Sequence, residues 1–226
     1  MRNIIFDFNG TLFQDSDMHC RAWKRFMSAR GMEITDELFH QYMCGPPNDA
    51  ILRRFLGEDL SDEEVAKLAG EKEDLYRAIV LGDPSLQVLT DGAPELLDAL
   101  KARGVPFAIA TGSSRDNVDF YFDTLGIGRW FDYGNVFYAE GRLPGKPDPA
   151  IYRLAMQKLG FAPQETMVVE DAMPGIESAV GAGIRHIVAI DTTLGSEAFR
   201  SVPQVAAVVH NFTDSSLFLD WVLACR

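Results

Sequence analysis

Asn3-Ile4-Ile5-Phe6-Asp7-Phe8-Asn9-Gly10-Thr11-Leu12 is the stretch from which the rest of the chain is read. Its β-branched and aromatic apolar run predicts a short strand over residues 3–8, closed by the turn dipeptide Asn9-Gly10. Asp7 then stands at the strand's carboxyl end. Comparable runs recur at residues 105–110, 135–139, 166–170, 184–190 and 205–209, most of them continuously apolar, as strands buried on both faces are. Between them, apolar residues spaced by three and four predict helices over 93–103, 117–125, 149–159 and 174–182. Strand and helix alternate, which predicts an α/β fold with a parallel sheet. Such sheets bind ligands at the carboxyl ends of their strands, where Asp7, Thr111 and the pair Glu170-Asp171 all fall.

One stretch breaks the alternation. Residues 15–82 carry helical patterns over 18–29, 49–55 and 62–79 and no convincing strand, and Ser61 followed by Glu64 has capping-box spacing. The expected organisation is a discontinuous α/β core, residues 1–13 and 85–226, around an inserted all-helical unit, residues 14–84. At about 150 residues per domain, 226 residues suit one core with an insertion.

Composition excludes several classes. With 47% hydrophobic and 24% charged residues the chain can bury a sizeable core. A net charge of −12 leaves no basic footprint for a phosphate backbone, so nucleic acid is not an expected partner. No apolar run approaches the ~20 residues of a membrane helix, and Ile4-Ile5-Phe6 ahead of Asp7 is too short for a signal core. Cys20, Cys44 and Cys225 are odd in number and lack C-x-x-C spacing, which argues against disulfides or zinc and for a reducing, cytoplasmic setting. The aromatic zone of Phe120, Tyr121, Phe122, Trp130 and Phe131 reads as packing, with an association surface as the alternative.

Four groups carry chemistry: Asp7-Phe8-Asn9-Gly10-Thr11-Leu12, Thr111-Gly112-Ser113, Lys146-Pro147 and Glu170-Asp171. A carboxylate such as Asp7 can attack phosphorus and split one hard displacement into two. A hard cation held by oxygen ligands, with a lysine, would bring the two anions together. In that order and context the four groups resemble the motifs of the haloacid dehalogenase-like hydrolases, and the helical insertion falls where that superfamily carries its cap. The resemblance implies a Rossmann-like core and Mg²⁺ as cofactor. It implies Asp7 as nucleophile and metal ligand, Asn9 as a backbone-carbonyl ligand, and Asp171, with Glu170 as ligand or orienter, completing the metal shell. Thr111, Gly112, Ser113 and Lys146 would bind the phosphoryl group.

Asn9 departs from the pattern, because phosphatases and phosphomutases of the superfamily usually carry an aspartate there as general acid and base. A carboxamide donates and accepts hydrogen bonds but does not shuttle a proton near neutral pH, and losing acid–base catalysis typically costs ~10²–10⁴ in rate. Four readings stay open: a slow phosphatase, an enzyme for substrates with good leaving groups, a phosphometabolite-binding or regulatory relative with little turnover, or an asparagine standing for aspartate through substitution or deamidation at Asn9-Gly10.

The insertion opens with His19 and Trp23, four residues apart and so on one helical face. It resembles the cap of β-phosphoglucomutase-like and phosphoglycolate phosphatase-like members, which implies a substrate entrance; a packed aromatic face is the other reading. Asn48 occupies the place where the mutases carry an arginine for a distal phosphate, with Arg53 and Arg54 as substitutes further on. A phosphatase for a small sugar phosphate-like metabolite is therefore expected ahead of a mutase. A monomer or weak homodimer is expected.

Overall fold

The computed structural model describes residues 2–138, 143–191 and 196–224, so Cys225 and the predicted strand end at Ala139 lie outside the described residues. Six strands, β1 (Asn3–Phe6), β2 (Phe107–Thr111), β3 (Val136–Tyr138), β4 (Thr166–Glu170), β5 (His186–Ile190) and β6 (Val205–Val209), form one parallel sheet in the order β3-β2-β1-β4-β5-β6. The order reverses at β1, which lies between β2 and β4, and a crevice opens beyond the carboxyl ends of the strands at such a switch point. All residues of β1, β2 and β4 are buried, the physical reason their sequences are continuously apolar.

After β1 the chain leaves the sheet for four helices, α1 (Ser16–Ser28), α2 (Asp36–Tyr42), α3 (Asn48–Leu56) and α4 (Asp62–Leu81). The helices α5 (Ala93–Ala102), α6 (Arg115–Leu125), α7 (Ala150–Leu159), α8 (Met173–Gly181), α9 (Ser196–Arg200) and α10 (Ser216–Leu223) follow between and after the remaining strands. Successive strand residues face opposite ways. Ile5 of β1 joins Tyr152 and Ala155 of α7 and Ile176 and Ala179 of α8 in one apolar cluster. Phe6 instead meets Phe212 with ring centroids 6.0 Å apart, and Phe212 meets Phe218 of α10 at 5.4 Å. The central strand is thus covered on both sides.

The backbone divides into two compact units, one of residues up to 14 and from 88 onward, the other of residues 15–87. The helical unit therefore ends three residues later than position 84. The reason is local: residues 84–86 form a 3₁₀ turn, and Gln87 Nε2 still donates to the carbonyl of Val80 at 3.1 Å. At the other border, Asp15 accepts a 2.6 Å hydrogen bond from Tyr76 Oη of α4, which fixes it to the helices.

Candidate active site

Strand β1 ends at Phe6, two residues short of the expected end, although the Asp7 amide still donates to the Val169 carbonyl at 2.9 Å. The chain then folds back on itself. The Phe13 amide donates to the Phe8 carbonyl at 2.9 Å and the Gly10 amide to the Phe13 carbonyl at 2.7 Å. Thr90 braces this loop, its hydroxyl donating to the Thr11 carbonyl at 2.6 Å and its amide to the Leu12 carbonyl at 2.9 Å. Such a turn needs φ of +75° at Gly10, and a Cβ there would stand 2.0 Å from Asp171 Oδ2. The glycine thereby lets the β1 loop and the end of β4 close on each other.

Carboxylates from those two strand ends meet around one lysine. Lys146 Nζ donates to Asp7 Oδ1 at 2.6 Å, to Glu170 Oε1 at 2.5 Å and to the Ala110 carbonyl of β2 at 3.1 Å. Burial works against the ammonium, but the charges of Asp7 and Glu170 outweigh it and hold Lys146 protonated, above the ordinary lysine range. Tyr152 Oη, from α7, donates to the same Glu170 oxygen at 2.6 Å. Burial and the Glu170 charge push that phenol well above its usual value, so it remains a donor. Gly175 completes the seat: a Cβ on it would lie 2.0 Å from Glu170 Cδ.

Asp7, Glu170 and Asp171 each offer a carboxylate oxygen within 4.8 Å of the others. An all-oxygen donor set of this kind fits a hard divalent cation such as Mg²⁺. The Lys146 and Tyr152 contacts on Glu170 suit the orienting role better than direct ligation. Thr111 ends β2 beside the cluster, accepting from the Ser113 amide at 3.1 Å and donating to Asn9 Oδ1 at 3.2 Å. Ser113 Oγ donates to Asn9 Oδ1 at 2.7 Å, while Gly112 is exposed and has no atom within 4 Å of where a Cβ would stand. The geometry therefore brings Asp7, Asn9, Thr111, Ser113, Lys146, Glu170 and Asp171 together at the carboxyl edge of the sheet.

The helical unit holds a second polar assembly. His19 stacks on Tyr76 with ring centroids 4.0 Å apart, and its Nδ1 lies 2.6 Å from Lys72 Nζ. Its Nε2 lies 3.3 Å from Asp15 Oδ2. Lys72 also donates to Glu73 Oε1 at 2.8 Å, and Asn48 Nδ2 reaches that same oxygen at 2.8 Å. Burial depresses the Lys72 ammonium, and the Glu73 charge offsets part of the effect. Trp23 is only 1% exposed and packs edge-on to Phe26 within the apolar core of this unit, so its face is a packed one, while His19 is half-buried. Arg53 is engaged by Asp62 at 2.6 Å and Arg54 lies over the Tyr42 ring at 4.0 Å.

Sequence reasoning missed Tyr121, Tyr152, Lys72 and Glu73. Tyr121 falls in the aromatic zone read as packing, and Tyr152, Lys72 and Glu73 lie within helical patterns where no spacing singles them out. Among the described residues no helix is long and apolar enough to cross a membrane.

A parallel sheet that gathers three carboxylates, a half-buried lysine and a threonine hydroxyl at its switch point defines a Rossmann-like α/β core with a polar site at its carboxyl edge. The chain belongs to the haloacid dehalogenase-like hydrolases, whose family model matches residues 1–183. It is 33% identical over 202 residues to validoxylamine A 7'-phosphate phosphatase of Streptomyces hygroscopicus subsp. limoneus, covering 86% of this chain and 87% of that one. It is 27% identical over 219 residues to the β-phosphoglucomutase of Mycobacterium tuberculosis, covering 85% and 82%. A haloacid dehalogenase-type hydrolase of family IA, variant 3, from Entamoeba histolytica superposes with a TM-score of 0.88 at 32% identity, covering 98% of this chain and 99% of that one.

Proposed function

We propose that this chain is a Mg²⁺-dependent phosphohydrolase for a small phosphorylated metabolite of the sugar phosphate kind, working through an aspartyl-phosphate on Asp7. The observation that carries the reading is the contact of Lys146 with both Asp7 and Glu170, with an Asp171 oxygen within 4.8 Å of theirs. Relatives named validoxylamine A 7'-phosphate phosphatase, phosphorylated carbohydrates phosphatase and β-phosphoglucomutase support it. Asp7, Asp171 and the Asn9 backbone carbonyl would hold the cation, which supplies charge neutralisation for an anionic phosphoryl group.

In the first step an Asp7 carboxylate oxygen bonds to phosphorus as the bond to the leaving oxygen breaks. Lys146 keeps its proton and pairs with the phosphoryl oxygens, and the Thr111 hydroxyl, turned from Asn9 Oδ1, donates to them together with the amides of Gly112 and Ser113. Water then bonds to phosphorus as the bond to the Asp7 oxygen breaks, its proton leaves with the phosphate, and Asp7 is restored as a carboxylate. The leaving alkoxide needs a proton that the Asn9 amide does not give. Turnover is therefore slow on alkyl phosphates and faster on acyl phosphates, whose leaving group is already a stable anion. Hydrolysis is favoured over mutase chemistry because position 48, where the mutases carry an arginine for a distal phosphate, is an uncharged asparagine bonded to Glu73 at 2.8 Å.

The test is acid-quench trapping of ³²P-labelled protein from acetyl phosphate with Mg²⁺, alongside phosphate release. The expected result is labelled wild-type protein and unlabelled Asp7→Asn. Equal labelling of both proteins would refute the assignment of the nucleophile, and binding without release by either would favour the regulatory reading.

A further inference from the structure

The carboxamide of Asn9 is held by a group that the phosphohydrolase reading leaves idle. Asn9 Nδ2 donates to Tyr121 Oη at 2.8 Å, Oδ1 accepts from Ser113 Oγ at 2.7 Å, and the Ser113 and Tyr121 hydroxyl oxygens are 3.2 Å apart. A hydroxyl has one proton to give. Ser113 gives its own to Asn9 Oδ1, so the contact between the two hydroxyls is carried by the Tyr121 proton. The three side chains close a ring in which each donates once and accepts once. Tyr121 is 1% exposed and its ring stacks on Phe8 with centroids 4.3 Å apart, which fixes the position of Oη.

A carboxylate does not complete this ring. It has no proton for the Tyr121 oxygen, so the tyrosine would turn its own proton to the carboxylate, and Ser113, with one proton, would serve either the carboxylate or the Tyr121 oxygen and not both, so one link of the ring is lost. We infer that Tyr121 is a positioning residue that holds position 9 as an amide, setting Oδ1 against the hydroxyls of Thr111 and Ser113 and Nδ2 away from them. The same ring protects the amide chemically. Deamidation requires the Gly10 nitrogen to lose its proton and attack Asn9 Cγ, expelling ammonia, after which water opens the succinimide to aspartate or isoaspartate. Here Cγ is pinned by the ring, and the Gly10 N–H is engaged by the Phe13 carbonyl at 2.7 Å.

The proposal is tested on the ligand-free protein, so its failure is separate from any failure of the phosphohydrolase reading. Wild type, Tyr121→Phe, Ser113→Ala and the double variant are held at mildly alkaline pH and mapped by peptide mass, with the Asn9 side-chain amide followed by ¹⁵N NMR. Tyr121→Phe keeps the ring stacked on Phe8, and Ser113→Ala opens the hydrogen-bonded ring at its other link. Each single variant is expected to deamidate Asn9 about five- to tenfold faster, the weight of one hydrogen bond, and the double variant no faster than the quicker single. The Asn9 amide resonances are expected to move in Tyr121→Phe. Unmoved resonances together with an unchanged deamidation rate in the folded variants would overturn the assignment.

Discussion

Gly175 serves the site by having no side chain. It lies in α8, where alanine ordinarily stabilises a helix by about 1 kcal/mol relative to glycine. Here the added methyl would meet Glu170 Cδ and Oε1 at 2.0 Å, inside the carboxylate that anchors Lys146 and Tyr152. Gly175→Ala is therefore expected to lower the melting temperature, against its helix propensity, and to reduce phosphate release as Glu170 is displaced. Lys146→Met has a different consequence, because it leaves Asp7 and Glu170 as neighbouring buried carboxylates with their shared cation gone. Removing one partner of a buried pair typically costs about 3–5 kcal/mol, and phosphate release should fall by about 10²-fold or more; calorimetry and a release assay read the two effects. At this scale the sequence was legible where chemistry sits at strand ends. Asp7, Thr111 and Glu170-Asp171 stand out because packing does not call for them there, and Lys146 completes the recognised motif order. Tyr121 was not legible, since its partner Asn9 is 112 residues away and nothing local marks a helical tyrosine as polar-bonded.

Helix α4 shows how much an element reveals of itself. Its start was readable, since Ser61 Oγ accepts from the Glu64 amide at 3.3 Å while Glu64 Oε2 accepts from the Ser61 amide at 2.9 Å, a complete capping box. Ser61→Ala is expected to destabilise the helical unit by about 1 kcal/mol in denaturant titration. The short α2 and the late α9 and α10 were missed: a seven- or five-residue helix gives too few turns for periodicity to register, and α10 is apolar on most sides. The strand over 107–111 starts two residues later than its apolar run because Val105 and Pro106 belong to the approach, where the Pro106 carbonyl accepts from the Ile4 amide. Lys72 gives α4 a pH dependence that no pattern of spacing announces. Burial lowers it from the ordinary 10.5, so between the folded value and 10.5 the unfolded chain binds a proton that the folded chain does not. Stability then rises with pH through that window and falls as pH is lowered through it. Thermal melts across the window should show this slope in wild type and a flatter one in Lys72→Met. Parallel slopes would show that Lys72 titrates alike in both states.

For the whole molecule, a net charge of −12 places the carboxylate cluster in a repulsive field, which any cation relieves to some degree by screening. A specific site and general screening make different predictions. Asp7, Glu170 and Asp171 bring oxygens within 4.8 Å of one another, with Lys146 bonded to the first two. An ion that binds this folded arrangement and not the unfolded chain stabilises by RT ln(1 + [L]/Kd), about 2.7 kcal/mol at a hundredfold excess over Kd. MgCl₂ is therefore expected to raise the melting temperature well beyond NaCl at matched ionic strength, and EDTA to reverse the gain. Asp171→Asn should abolish the Mg²⁺ increment while keeping the NaCl one, since the amide retains a carbonyl acceptor but removes the charge that a hard divalent ion requires. Equal shifts from the two salts, or an Mg²⁺ increment that survives Asp171→Asn, would mean that the acidic excess as a whole and not this cluster attracts the ion. The assignment of Asp7 as a nucleophile working beside a bound cation would then need another source of positive charge than Lys146 alone.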